Sequence, residues 1–250
     1  TQPPRRRGSG PWRPGAATDA GTRSPCAGVV DLDGDGRLDL YVAAYSDPAI
    51  EVERRRIEHG LPPDTPAESI SGRSCRWNRV RAYCGPLGLT AQEDTVYRQG
   101  ADGSFEDRAK AMGFRARNGA QYAFTVITLD FNDDGLMDVY VANDSVESYL
   151  WVAEKDAQGS LHWRERADEF GCKFGTTMNP QAGMGAFVAD INQDGLWDLF
   201  KTNFALDYNN MYMGSRTRPV DGAFYFKDKG LTTLGQAVYY DLSWGCGWYD

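Results

Sequence analysis

The 250-residue chain is poor in the residues that usually announce an enzyme. It has two histidines and five cysteines. It contains no His-Glu-x-x-His, no Cys-x-x-Cys-His, no Gly-x-Ser-x-Gly and no Gly-rich phosphate loop, so the common zinc, haem, serine-hydrolase and nucleotide signatures are all missing. Long apolar runs are missing too. Stretches such as Tyr122–Leu129 fall well short of the ~20 residues a spanning helix needs. Basic residues are in the minority, with a formal charge of −8. That balance argues against nucleic acid, which requires a concentrated basic surface. The one basic cluster near a terminus, Arg5–Arg7, sits among Pro and Gly and reads as a solvated arm. Thr1 stands where Met would begin a chain, which predicts a removed or missing N-terminal segment.

What the chain does have is grouped aspartate. Three segments align without gaps. The first is Asp31-Leu-Asp33-Gly-Asp35-Gly36-Arg37-Leu-Asp39. The second is Asp130-Phe-Asn132-Asp-Asp134-Gly135-Leu136-Met-Asp138. The third is Asp190-Ile-Asn192-Gln-Asp194-Gly195-Leu196-Trp-Asp198. The shared pattern, D-x-[DN]-x-D-G-x-x-D, places oxygen donors at positions 1, 3, 5 and 9. A glycine at position 6 permits a tight turn, and position 7 offers a backbone carbonyl, from Arg37, Leu136 and Leu196. Such an oxygen-only shell suits Ca²⁺, and carboxylates this close would repel one another without a cation. The three loops are therefore expected to hold three calcium ions, which would take the formal charge from −8 to −2. The first loop has one more carboxylate and is expected to bind tightest. An EF-hand needs Glu at position 12 and flanking helices. Here position 12 is Val42, Val141 and Lys201, and the flanks alternate like strands.

Spacing extends the pattern. Asp130 and Asp190 are 60 residues apart, and a further 60 reaches Asp250 after Trp244-Gly-Cys-Gly-Trp-Tyr249. Asp250 therefore reads as the start of a fourth calcium loop. A second landmark, strand–Gly turn–strand, precedes each loop from the second onward. It runs Val96–Asp107, then Leu150–Leu161, then Met211–Tyr225. Four short strands per ~60-residue unit make a β-propeller blade. The expected fold is an all-β propeller over residues 26–250, with an arm or partial strand at 1–25. Only about four blades are present, and an open sheet edge would invite aggregation, so the encoded protein is expected to continue past Asp250.

Asp31 and Asp130 lie 99 residues apart, which leaves an insertion at about 44–93. Ile50–His59 reads as a short helix stopped by Gly60-Leu-Pro62-Pro63. Cys75 and Cys84 across a loop without its own core read as a disulfide, with two free thiols the alternative. Cys26 and Cys246 occupy equivalent strands and read as buried small residues rather than a pair. His59 and His162 read as surface residues. Asn143-Asp-Ser145 fits a glycosylation sequon and also a strand-end Asn bonding backbone, the preferred reading. Trp197 and Trp248 read as packing residues.

The loops resemble the FG-GAP/VCBS repeats of integrin α-chain propellers. Together with Cys84-Gly-Pro-Leu-Gly-Leu89, Tyr140-Val-Ala-Asn-Asp-Ser145, Gln181-Ala-Gly-Met-Gly185 and Thr202-Asn-Phe204, they are similar to the cartilage acidic protein (ASPIC/UnbV-associated) family. That resemblance covers roughly residues 26–250 and implies a secreted, calcium-binding propeller, typically of seven blades. It carries an expectation of extracellular or periplasmic location and of a non-enzymatic adhesion or assembly role with a protein partner. Peripheral association with a membrane surface stays open. The alternatives are a glycan-binding propeller and a polysaccharide lyase or dehydratase on the same scaffold.

Overall fold

The computed structural model describes residues 25–46, 52, 55–65, 75–77, 80–82, 86, 91–115, 121–218, 223–235 and 237–247. Among these residues the fold is all-β, built from three four-stranded antiparallel sheets and one hairpin. The first sheet runs β1 (Ala27–Val30), β2 (Asp39–Val42), β5 (Thr95–Gln99) and β6 (Phe105–Asp107). The hairpin β3 (Cys75–Trp77) and β4 (Val80–Ala82) is inserted between β2 and β5. The second sheet orders β7 (Ala123–Leu129), β8 (Asp138–Asn143), β9 (Tyr149–Lys155) and β10 (Leu161–Glu165). The third orders β11 (Gly183–Ala189), β12 (Asp198–Asn203), β13 (Asn210–Ser215) and β14 (Tyr225–Asp228). Single helical turns, α1 (Ala109–Met112) and α2 (Gly230–Thr233), follow the first and third sheets.

Each sheet is a meander in chain order, so every strand pairs with its sequence neighbour in the blade. The sheets then stack face to face. The middle sheet shows why its sequence is apolar on both sides: all six residues of β8 are buried. Its alternate residues face opposite ways. Val139 and Val141 join Tyr41, Val96 and Phe114 in a core against the first sheet, while Tyr140 and Ala142 join Leu199, Tyr212 and Phe226 against the third. The same split runs along β9, with Tyr149 and Trp151 on one side and Leu150 and Val152 on the other. Aromatic rings fill the first core. Phe114 stacks on Trp163 at 5.2 Å and meets Tyr41 edge-on at 5.5 Å. Large rings dominate burial energetics because each removes 150–250 Å² or so from water. The turn after α1 must pass close to this cluster. Gly113 has φ 97°, and a Cβ there would lie 2.4 Å from the Trp163 carbonyl oxygen.

The first strands of successive sheets lie side by side. Thr125 on β7 donates its hydroxyl to the Met184 carbonyl on β11, and a Cβ on Gly28 of β1 would touch Val126 and Thr128 of β7. Ala123 N–H donates to the Ala44 carbonyl and Ser145 N–H to the Gln181 carbonyl, linking one sheet to the next. Residues 243–247 continue the series. The Thr202 hydroxyl donates to the Trp244 carbonyl and Ser243 N–H to the Asn203 carbonyl. This arrangement is consistent with successive propeller blades.

Among the described residues, the two ends of the inserted segment meet where Ser46 and Ala91 form an antiparallel bridge. Within it, residues 55–58 are helical, and the helix ends at Gly60. The Cys75–Cys84 pairing lies outside the described residues, as does Asp250. Among the described residues Cys26, Cys172 and Cys246 are free thiols, the first and last half-buried and Cys172 fully buried. No described helix is long and apolar enough to cross a membrane.

Candidate metal loops

Each aspartate-rich segment joins the first two strands of a blade, and the three loops fold alike. Two residues in each take left-handed backbone. At position 4 these are Gly34, Asp133 and Gln193, with φ 74°, 62° and 58°. At position 6 they are Gly36, Gly135 and Gly195, with φ 82°, 83° and 81°. The glycine is therefore required by the turn itself. The turn directs backbone N–H groups inward onto the position 1 carboxylate. Asp31 accepts from Gly34, Asp35 and Gly36; Asp130 from Asp134 and Gly135; Asp190 from Asp194 and Gly195, all at 2.7–3.1 Å. Position 5 accepts the N–H of position 7 at 2.9 Å in every loop.

Position 9 anchors the loop to its sheet. Asp39, Asp138 and Asp198 are at most 1% exposed. One oxygen of each accepts the N–H of position 2, from Leu32, Phe131 and Ile191. The other accepts an N–H from the third strand, from Gln99, Ala153 and Gly214. This carboxylate is thus a staple between loop and blade. Burial raises all three pKa values, Asp138 to about 7, against the pull of the N–H groups that favour the ionised form.

The loops differ at position 3. In the second and third loops, the Asn132 and Asn192 amides donate to Asp134 and Asp194 at 2.9 and 2.8 Å. The first loop has Asp33 there, and a carboxylate cannot donate. Arg98, on β5, supplies the missing donors: its guanidinium contacts Asp33 and reaches Asp35 at 2.8 Å. Arg37 also pairs with Asp35 and donates its Nε to the Gln99 carbonyl at 2.9 Å. One carboxylate oxygen from each of Asp31, Asp33 and Asp39 lies within 4.8 Å of the others. The sequence reading counted Arg37 only for its carbonyl and missed Arg98.

Position 8 corrects another expectation. Trp197 is 41% exposed, not packed, and Leu38 and Met137 at the equivalent positions are exposed as well. The neighbouring Asp at position 9 is pulled inward by two N–H groups, so alternation turns position 8 outward. His162 is half-buried, 3.5 Å from Glu154, while His59 is exposed. Asn143 is fully buried and donates its amide to the Glu147 carbonyl, the strand-end role.

Three further polar residues escaped the sequence reading because they act across strands. Asp94 is buried and accepts from the Tyr41 hydroxyl and the Ala44 N–H at 2.8 and 2.7 Å. Burial raises its pKa to about 7. Asp228 gathers Thr176, Tyr208, Asn210, Met211 and Gly230 around one carboxylate at the end of the third blade. Lys201 is 1% exposed between the second and third blades. Its amine lies 3.5 Å from the Ser148 hydroxyl, and burial lowers its pKa to about 8.

Residues 130–200 match the FG-GAP-like repeat family. The match begins at position 1 of the second loop and ends on β12, so it takes in β8, β9 and β10 of the second sheet, then β11 and the third loop. No curated protein matches the chain.

Proposed function

We propose that this chain is a calcium-binding, propeller-type interaction module that is secreted and has no catalytic role of its own. The observation that carries the reading is the threefold recurrence of one oxygen-lined loop with one hydrogen-bond scheme. The donor set fits a hard cation. In the second loop Asp130, Asn132, Asp134 and Asp138 and the Leu136 carbonyl would hold the ion; in the third, Asp190, Asn192, Asp194 and Asp198 and the Leu196 carbonyl would do so. The N–H bonds do not use up these oxygens, because each carboxylate oxygen has a second lone pair. The cation would neutralise the clustered acids and stiffen the turn. The ion's role is structural, and the chemistry is that of extracellular modules with affinities of roughly 10⁻⁴–10⁻³ M. The ASPIC/UnbV resemblance supports the same oxidising, calcium-rich location, in which Cys75 and Cys84 would pair.

The contact surface for a protein partner is assigned to the insertion at 44–93. A long excursion closed at its base by Ser46 and Ala91 can present side chains without disturbing the blade. The test is thermal unfolding of the full chain in millimolar calcium and in chelator. Calcium is expected to raise the melting temperature, since an ion at a hundredfold excess over its Kd adds about 2.7 kcal/mol per site. Superimposable melts, with no heat of calcium binding by calorimetry, would remove the calcium reading.

A further inference from the structure

We infer that Arg98 and Arg37 form a built-in counter-cation for the first loop, so that the second and third loops, not the first, are the calcium-responsive sites. The inference rests on the calcium reading above and reverses the expectation that the most acidic loop binds tightest.

The argument starts from repeat-equivalent positions. Gln99, Ala153 and Gly214 each donate their N–H to the position 9 carboxylate, which fixes the register of the third strands. The residue before each is Arg98, Val152 and Met213. Position 7 of the loops is Arg37, Leu136 and Leu196. Both cations of the first loop therefore stand where the other two loops carry apolar side chains. They are also engaged. Arg98 bridges Asp33 and Asp35, and Arg37 pairs with the same Asp35 oxygen. The two carboxylates are only 17% and 20% exposed, whereas Asp134 and Asp194 are open to solvent.

An incoming Ca²⁺ meets different obstacles in the two kinds of loop. In the second and third, it must turn aside one neutral amide, whose own oxygen can then face the ion. In the first, it must separate charged pairs and tolerate a guanidinium nearby. A doubly charged ion about 5 Å from a guanidinium is repelled enough to weaken binding on the order of tenfold even in water-like dielectric. Partly exposed pairs are individually modest, but one guanidinium engages positions 3 and 5 together. The first loop is closed by protein, and the other two are closed by the ion.

The experiment counts calcium ions bound by the full chain, by equilibrium dialysis and calorimetry, in four proteins. These are the parent, Arg37→Leu/Arg98→Met, Asp35→Asn and, at the same loop position, Asp134→Asn. The expected result is two tight ions in the parent and three in the double arginine variant. Asp35→Asn should leave the parent stoichiometry unchanged, and Asp134→Asn should lose one ion. The single Asp variants keep the test decisive if the arginine variant fails to fold. Three equivalent ions in the parent, with one lost in Asp35→Asn, would overturn the inference while leaving the calcium reading intact. No ion in the parent and none in the arginine variant would overturn the calcium reading itself.

Discussion

Truncating the buried carboxylate of the second loop tests its role as a staple apart from its proposed role as a ligand. Asp138 is fully buried, and its oxygens accept the Phe131 N–H at 3.1 Å and the Ala153 N–H at 2.9 Å. Asp138→Ala leaves both donors inside the protein without a partner. Each buried unsatisfied N–H costs about 1–3 kcal/mol, so the loss should be about 2–6 kcal/mol. That is a large part of a typical domain's total stability and corresponds to a fall of roughly 5–20 °C for a chain of this size. Asp138→Asn keeps one acceptor, turns an amide donor toward the other N–H and removes a charge that burial disfavours, so its loss should be well below that of Asp138→Ala. Asp134, at position 5, is exposed. Asp134→Asn can still accept the Leu136 N–H, and surface changes of this kind stay within about 0.5 kcal/mol. The assay is denaturant unfolding followed by tryptophan fluorescence, in chelator, so that no cation contributes. The expected order of loss is Asp138→Ala, then Asp138→Asn, then Asp134→Asn near zero. A loss below about 1 kcal/mol for Asp138→Ala, or equal losses at positions 5 and 9, would refute the staple argument.

Two further perturbations test the buried polar groups. Burial raises Asp94 to about 7 in the fold, above the ~3.9 of an unfolded Asp. Its protonated form is therefore the stabilised one: the contribution is complete below pH ~4 and is lost as pH rises through 7. Asn209 occupies the equivalent place in the third blade and accepts the Asn203 N–H at 2.8 Å, so Asp94→Asn should keep the bond to Ala44 and remove the titration. Between pH 4.5 and 7.5 the variant should gain about 2–4 kcal/mol on the parent by chemical denaturation; parallel pH profiles would contradict this. Lys201 carries the opposite cost, a cation whose charged form burial disfavours. Lys201→Met should hold or raise stability at pH 7 by about 1–3 kcal/mol, since apolar replacements of buried charges are often stabilising. A melting temperature several degrees lower would show that the amine is needed by its neighbours.

The loops and strands could be read from sequence because they are written locally. A nine-residue pattern fixes the turn, and the alternation after it fixes the strand, so β2, β8 and β12 fall where Asp39, Asp138 and Asp198 place them. The strand–Gly turn–strand landmarks likewise returned as β5 and β6, β9 and β10, and β13 and β14. What escaped was written across distance. Arg98 acts on Asp33 from 65 residues away, with the insertion between them. Asp94 reaches Ala44 across 50 residues. A signal for Arg98 did exist, in the aligned third strands, where one basic residue stands against Val152 and Met213. It becomes meaningful only once β5 is known to pair with β2. Trp197 was misplaced for a related reason: the inward pull on position 9 comes from a backbone N–H on another strand.

Comparing the three loops divides the motif into a fixed part and an exchangeable part. The fixed part is backbone N–H donation to positions 1, 5 and 9, which recurs in every loop, with one further N–H, from Gly34, in the first. The exchangeable part is the donor that stitches position 3 to position 5. Where position 3 is Asn, the loop provides that donor itself. Where position 3 is Asp, the loop has a surplus acceptor, and either a cation or a side chain from the third strand must answer it. In this chain the answer is Arg98. The two changes are therefore coupled: Asp at position 3 without a basic residue on the third strand leaves an open demand for a metal. Asn132→Asp in the second loop, with Val152 kept, would create that demand deliberately. It should lower stability in chelator and tighten calcium binding, the reverse of what the extra carboxylate of the first loop achieves beneath its arginines.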